Sequence, residues 1–249
     1  MDNAVDLVWE GMQSGKLAAD QLPPLTVDEG QALQAQVLSR WLAAGENLAG
    51  YKVALTSGAA RNAFGAGVRP FGYLLGSRVL DSGTTLSRAN VGNMGLENEL
   101  VFRLRSSLQG PDVTRDQVLA ALDGVAPGFE INQDRGAGKA SPGARVAENL
   151  SQWGIVKSDW RKPPASLDDL IVTLSLDSAP LQTVAATNHI DDHYLSICAL
   201  VAQLHRFGRQ LAPGDLVITG SFTRISLDRE GIYTGDFGSL GTVVLTVTA

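Results

Sequence analysis

The chain has 249 residues, enough for one large domain or two small ones, and its 44% hydrophobic content supports a sizeable buried core. Its 26 acidic and 20 basic side chains give a net charge of −6 with no basic block, which excludes nucleic acid as the main partner because phosphate binding needs clustered Lys and Arg. A single cysteine, Cys198, excludes an intramolecular disulfide. No run approaches the ~18 apolar residues of a membrane span, and Met1–Asp6 lacks the basic and apolar regions of a signal peptide. The expectation is a cytoplasmic protein with no membrane partner.

In chain order, a first helix is expected to bury Val5, Val8, Trp9 and Met12. Thr26-Val27-Asp28-Glu29 reads as a capping box that starts a second helix. Leu33, Val37 and Trp41, with Leu38 and Leu42 beside them, give that helix one apolar face, and Gly45 ends it. Beyond residue 50 short apolar runs alternate with Gly, Pro, Asp and Ser. Strands are expected at Gly50–Leu55, Gly72–Leu75, Glu97–Leu104, Gly124–Ile131, Ser151–Val156, Leu170–Leu176, Asp215–Thr219 and Thr242–Val247. Two helices interrupt them. One follows a second capping box at Thr114–Gln117, and the other runs from about Asp191 to Phe207. Many strands with few helices do not make a βαβ repeat, so the fold class is α+β and mainly antiparallel. The predicted organisation is a helical N-terminal cap, residues 1–48, on a β-rich body, residues 49–249.

The chemistry concentrates in three acids. Glu97 and Glu99 are separated by one residue in a strand, where alternate side chains share a face. Glu130 lies in another apolar run. Three carboxylates among apolar neighbours suit a hard divalent cation, Mg²⁺ or Mn²⁺, although E-x-E equally suits the solvent face of an edge strand. Lys52 falls inside the apolar strand Gly50–Leu55, where an amine is costly unless it is paired or reaches solvent. Thr56 and Ser57, just beyond, offer hydroxyl and N–H groups to a carboxylate. Asp134–Pro142 is Gly-rich, fails the phosphate-loop pattern and is expected to be a mobile lid carrying Arg135 and Lys139. His189 and His193 are four apart but lack the Glu of a zinc helix, so they read as the start of the long helix.

Taken in order, Gly50-Tyr51-Lys52-Val53-Ala54-Leu55-Thr56-Ser57, Phe71-Gly72-Tyr73-Leu74, Glu97-x-Glu99, Ala126-Pro127 with Glu130-Ile131, Ala147-Glu148-Asn149, and Gly214-Asp215 through Thr219-Gly220-Ser221 are similar to segments of a known family. The chain resembles the 2-keto-4-pentenoate hydratases and 4-oxalocrotonate decarboxylases of the fumarylacetoacetate hydrolase superfamily. The resemblance implies a mixed β-roll or barrel, a homo-oligomer, and Mg²⁺ or Mn²⁺ held by Glu97, Glu99 and Glu130. It implies a lyase acting on a small 2-oxo or 2-hydroxydienoic acid through a metal-stabilised enolate. Lys52 is then the catalytic residue, and Leu55, Thr56, Ser57, Arg135 and Ser221 contact the substrate. Pro70 stands where hydratases of the family carry an acid. The competing readings are a C–C bond hydrolase of acylpyruvate type, with His189 or His193 recruited as base, and a non-catalytic partner subunit.

Overall fold

Both capping boxes start helices in the computed structural model, which describes residues 2–249 apart from the side chains of Asp2 and Lys139. Helix α1 (Asp2–Ser14) is followed by α2 (Val27–Ala43). The Thr26 N–H donates to Glu29 Oε2 at 2.8 Å, and Glu29 N–H donates back to Thr26 Oγ1 at 3.3 Å. The apolar stripe of α2 is buried at Leu33, Val37 and Leu38, but Leu42 is 40% exposed. Two glutamines are buried instead. Gln31 and Gln34 donate to Phe71 O, and Gln34 also donates to Val146 O, so the helix is docked by amides as well as by apolar area. Trp9 against Trp41, with ring centroids 4.6 Å apart, joins α1 to α2. The helical segment shares one continuous core with the strands.

The remaining elements are β1 (Leu48–Val53), β2 (Phe71–Leu75), β3 (Val79–Asp81), β4 (Thr84–Ser87), β5 (Met94–Leu104), α3 (Arg115–Ala121), β6 (Leu122–Gln133), α4 (Pro142–Ala147), β7 (Gln152–Lys157), β8 (Ile171–Leu176), β9 (Ala179–Ala185), α5 (His193–Arg206), β10 (Leu216–Ile218), β11 (Arg224–Ser226), β12 (Gly231–Asp236) and β13 (Thr242–Thr248). All eight expected strands form, with ends shifted by a few residues. Five further strands, β3, β4, β9, β11 and β12, escape the sequence reading. They are short, or half-exposed with polar residues on the outer face, so no apolar run marks them.

The larger sheet has the order β2-β1-β10-β5-β6-β7-β3, with β11 added beside β5. It curls until β2 touches β7. The second sheet, β4-β13-β12-β8-β9, packs through β12 and β13 on the outer face of β6 and β7 and reaches β5 at Asn98. Gly235 on β12 meets Asn98 and Phe129 there, at 2.3 and 3.1 Å from where its Cβ would be. The even positions of β5 therefore face the sheet–sheet core, and the odd positions face the hollow of the curl. Helix α5 packs on α3 and the β1–β2 corner. Among the described residues no helix is long and apolar enough to cross a membrane.

Candidate active site

Strand pairing brings the three acids together. Glu97 on β5 lies directly opposite Glu130 on β6, and Glu99 is two residues along the same face of β5. One carboxylate oxygen from each lies within 4.8 Å of the others, and all three side chains are buried. Three anions so close in a low dielectric repel strongly. Burial, reinforced by Glu130 and Glu97, holds the Glu99 carboxyl well above the usual carboxylate range. Burial pushes Glu130 up to about 7 against the pull of Lys52.

Compensation comes from three sides. Lys52 Nζ donates to Glu130 Oε1, and to Leu150 O at 3.2 Å. The backbone N–H groups of Thr219 and Gly220 donate to Glu99 Oε2 at 3.1 and 2.7 Å. Arg224 Nη1 sits 3.2 Å from Glu97 Oε1, although its side chain is largely exposed. Gly220 has φ +135°, and a Cβ there would lie 2.1 Å from Thr56 Oγ1, so only glycine lets this backbone turn in to Glu99. Three carboxylates against one buried ammonium leave negative charge that a dication neutralises. The all-oxygen donor set fits Mg²⁺-class ions rather than zinc.

Lys52 enters from β1, two strands away from β5 across β10 in the curled sheet. A Cβ on Gly72, its neighbour on β2, would lie 2.9 Å from Lys52 Cγ and from Asn149 Oδ1, so this glycine gives the lysine stem its channel. The acceptor Leu150 O belongs to an unusual turn. Asn149, Leu150 and Ser151 all have positive φ, at 69°, 54° and 62°. Left-handed backbone at non-glycine residues is strained and needs external support. Asn149 supplies it by accepting from Tyr73 N at 2.8 Å and donating to Tyr73 O at 2.9 Å.

These groups enclose a cavity of about 90 Å³. Leu55, Thr56, Ser57 and Ser221, all expected on the substrate, line it. Ser221 N–H donates to Ser57 Oγ at 3.2 Å, and Thr56 Oγ1 donates to Thr219 O at 2.7 Å. Arg135 is the correction. Its guanidinium turns inward beneath α4, meets Glu148 Oε2 at 2.8 Å, and donates to Glu148 O and Gln152 O at 3.3 and 3.0 Å. It is fully buried and forms no part of the cavity wall. A guanidinium beside a buried carboxylate settles there in preference to reaching an open site. The segment around it is tied down: Leu17 N–H donates to Arg135 O, Asp134 N–H to Asn93 O, and Gly143 N–H to Leu25 O. A different segment, Ser57–Arg69, borders the cavity mouth, clamped by Asp191 to Arg61 at 3.2 Å and Arg69 at 2.7 Å.

The histidines stand apart. His193 Nδ1 is 2.7 Å from Thr219 Oγ1, the ring packs against Phe102 and Phe222, and burial lowers its pKa to about 4. Neither His189 nor His193 lines the cavity. Asp192 caps α5 by accepting from Leu195 N–H at 2.8 Å. The cavity wall also includes Asn132, Arg145, Ser151 and Arg224, which the sequence reading missed. Alternation from Glu130 marks Asn132, whereas nothing local marks the others.

The sequence matches no family model. It is 30% identical over 223 residues to a 2-hydroxyhexa-2,4-dienoate hydratase of Comamonas testosteroni, covering 86% of this chain and 84% of that protein. It is 25% identical over 204 residues to a 4-oxalocrotonate decarboxylase of Pseudomonas sp. (strain CF600), covering 81% and 77%. Its fold is similar to that of the 4-oxalocrotonate decarboxylase from Pseudomonas putida G7, solved with magnesium and adipate. The TM-score is 0.91 at 19% identity, covering 99% of this chain and 98% of that one.

Proposed function

This chain belongs to the 2-keto-4-pentenoate hydratase family, a family of metal-dependent lyases, and from that premise we propose how its cavity acts on a small 2-oxo or 2-hydroxydienoic acid. The observation that carries the reading is the convergence of Glu97, Glu99 and Glu130 with Lys52 in one buried cavity. Glu97, Glu99 and Glu130 hold the divalent cation, Mg²⁺ or Mn²⁺. When bound, that ion supplies positive charge where the substrate's C1 carboxylate and C2 oxygen gather negative charge.

The chain's own residues do the rest. Ser57, Ser221 and the backbone around Thr56 offer donors to the carboxylate end. Lys52, held as an ammonium by Glu130 and Leu150 O, gives a proton to the far end of the diene and regains one from the C2 enol hydroxyl, which leaves the 2-oxo-3-enoic acid and the lysine unchanged. Water then adds at C4 in the hydratase mode, or CO₂ leaves in the decarboxylase mode. A C–C hydrolase needs a base to activate water, and no histidine lines the cavity among the described residues, so the lyase reading is favoured. A cytoplasmic homo-oligomer accords with the reading; exposed Ile171 and Ile232 share the outer face of the second sheet, where a second copy can cover them.

The test, with Mg²⁺, Mn²⁺ or chelator present, is loss of diene absorbance from 2-hydroxypenta-2,4-dienoate with a hydroxy acid as product, and release of CO₂ from 2-oxohex-3-enedioate. Metal-dependent loss is expected. Cleavage of an acylpyruvate with an inert dienoate would overturn the lyase reading.

A further inference from the structure

The cavity of the three glutamates adjoins a second space. A neighbouring cleft of about 440 Å³ lies between β5, β11 and the segment after β6. Asn132, Arg145, Ser151 and Arg224 line both spaces and therefore form the rim where the two meet. Their chemistry is one-sided. Arg145 stacks on Phe64, 5.1 Å from its ring centroid, and has no carboxylate partner among the described residues. Arg224 is bound on one edge to Glu97, and the rest of its side chain is exposed. Asn132 is buried, and its Nδ2 has no hydrogen-bond partner. The carboxylate nearest this rim on the cleft side, Asp134, accepts from Gly136 N–H at 2.8 Å within its own loop.

Position fixes the length of what reaches this rim. Asn132 and Glu130 are on the same face of β6, two residues and so about 7 Å apart along the strand. Opposite Asn132 stands Gly95, which has no side chain to crowd it. A chain held at C1 and C2 by the cluster and extended along β6 puts its fifth or sixth carbon beside Asn132, at the rim that also carries Arg145. An orphaned amide donor and an unpaired guanidinium are matched there by an anionic acceptor, and an apolar terminus leaves both unmatched.

We propose that Arg145 and Asn132, assisted by Arg224, form a carboxylate-tail subsite that makes 2-oxo or 2-hydroxydienoic diacids the preferred substrates over monoacids. The assignment rests on the lyase reading above. It is tested with the metal-loaded enzyme by measuring kcat/KM for 2-hydroxyhexa-2,4-dienedioate and for 2-hydroxypenta-2,4-dienoate. The wild type is expected to favour the diacid tenfold or more. Arg145→Met is expected to lower the diacid-to-monoacid ratio at least tenfold, Arg145→Lys to recover part of it, and Asn132→Asp to lower it by adding a like charge. In the wild type, 2-oxoadipate is expected to inhibit more strongly than 2-oxohexanoate, a comparison that needs no variant to fold. If the monoacid is turned over as well as the diacid, or Arg145→Met lowers both by one factor, the subsite is overturned and the lyase reading stands. Turnover of neither acid overturns both.

Discussion

Two buried ion pairs lie at either end of one short segment, and they do different work. Arg135–Glu148 is sealed, and its guanidinium is bonded to the carboxylate and to two carbonyls, Glu148 O and Gln152 O. Lys52–Glu130 is equally buried but borders a cavity, and two further carboxylates crowd it without balancing cations inside. A pair whose charges balance specifies structure, whereas an over-charged one is poised for a ligand. The segment Glu148–Ser151 touches both. Ser151 N–H donates to Glu148 Oε1 at 2.7 Å, and Leu150 O accepts from Lys52.

The contrast breaks if the sealed pair turns out to matter for turnover. Arg135→Met strands a buried carboxylate and should cost about 3–5 kcal/mol, read as a lowered midpoint in urea, while kcat per folded molecule stays within a few-fold. A selective loss of kcat with stability intact would put Arg135 in the site after all. The opposite outcome is expected for Lys52→Met. There kcat should fall roughly 10²-fold, about 2.7 kcal/mol on the barrier, with Mg²⁺ binding retained by calorimetry. Wild-type turnover in that variant would make the lysine structural.

Asn149→Ala sharpens the comparison because it releases the turn between the pairs. Losing two buried hydrogen bonds to Tyr73 should cost about 1–3 kcal/mol, and kcat should fall with it as Leu150 O moves away from Lys52. Unchanged kcat in a destabilised variant would uncouple the turn from the lysine.

The smallest effect concerns pH. Burial holds the Glu130 carboxyl at about 7 and Glu99 above its ordinary value, so the folded metal-free chain keeps protons that the unfolded chain has released. That contribution to stability is full below about pH 4.5 and is lost as pH rises through about 7. The stability of the metal-free wild type relative to Glu130→Gln should therefore fall over that window. Apparent Mg²⁺ affinity should rise over the same range, because the ion displaces protons. A flat difference in Tm across the window would show that Glu130 is ionised throughout.

Local sequence was enough to read the helix starts, the main strands and the shared face of Glu97 and Glu99. Capping boxes at Thr26 and Thr114 are local hydrogen-bond chemistry, and Glu97 and Glu99 share a face because strand geometry alternates. The resemblance carried by the ordered segments strengthened the reading of that pair and Glu130 as one metal site, and put Leu55 and Ser221 with Thr56 and Ser57 on the substrate. The partners of these groups were set by packing between elements. Arg135 and Arg145 are both arginines in a Gly-rich stretch, yet one is sealed under α4 by Glu148 and the other lines the cavity, because each goes where the fold supplies or withholds a carboxylate. The opposition of Glu97 to Glu130 depends on the β5–β6 register, and Lys52 reaches them only because the sheet curls. Such long-range placements leave no periodic trace in a sequence, since they are set by packing between elements rather than by the conformation of any one of them.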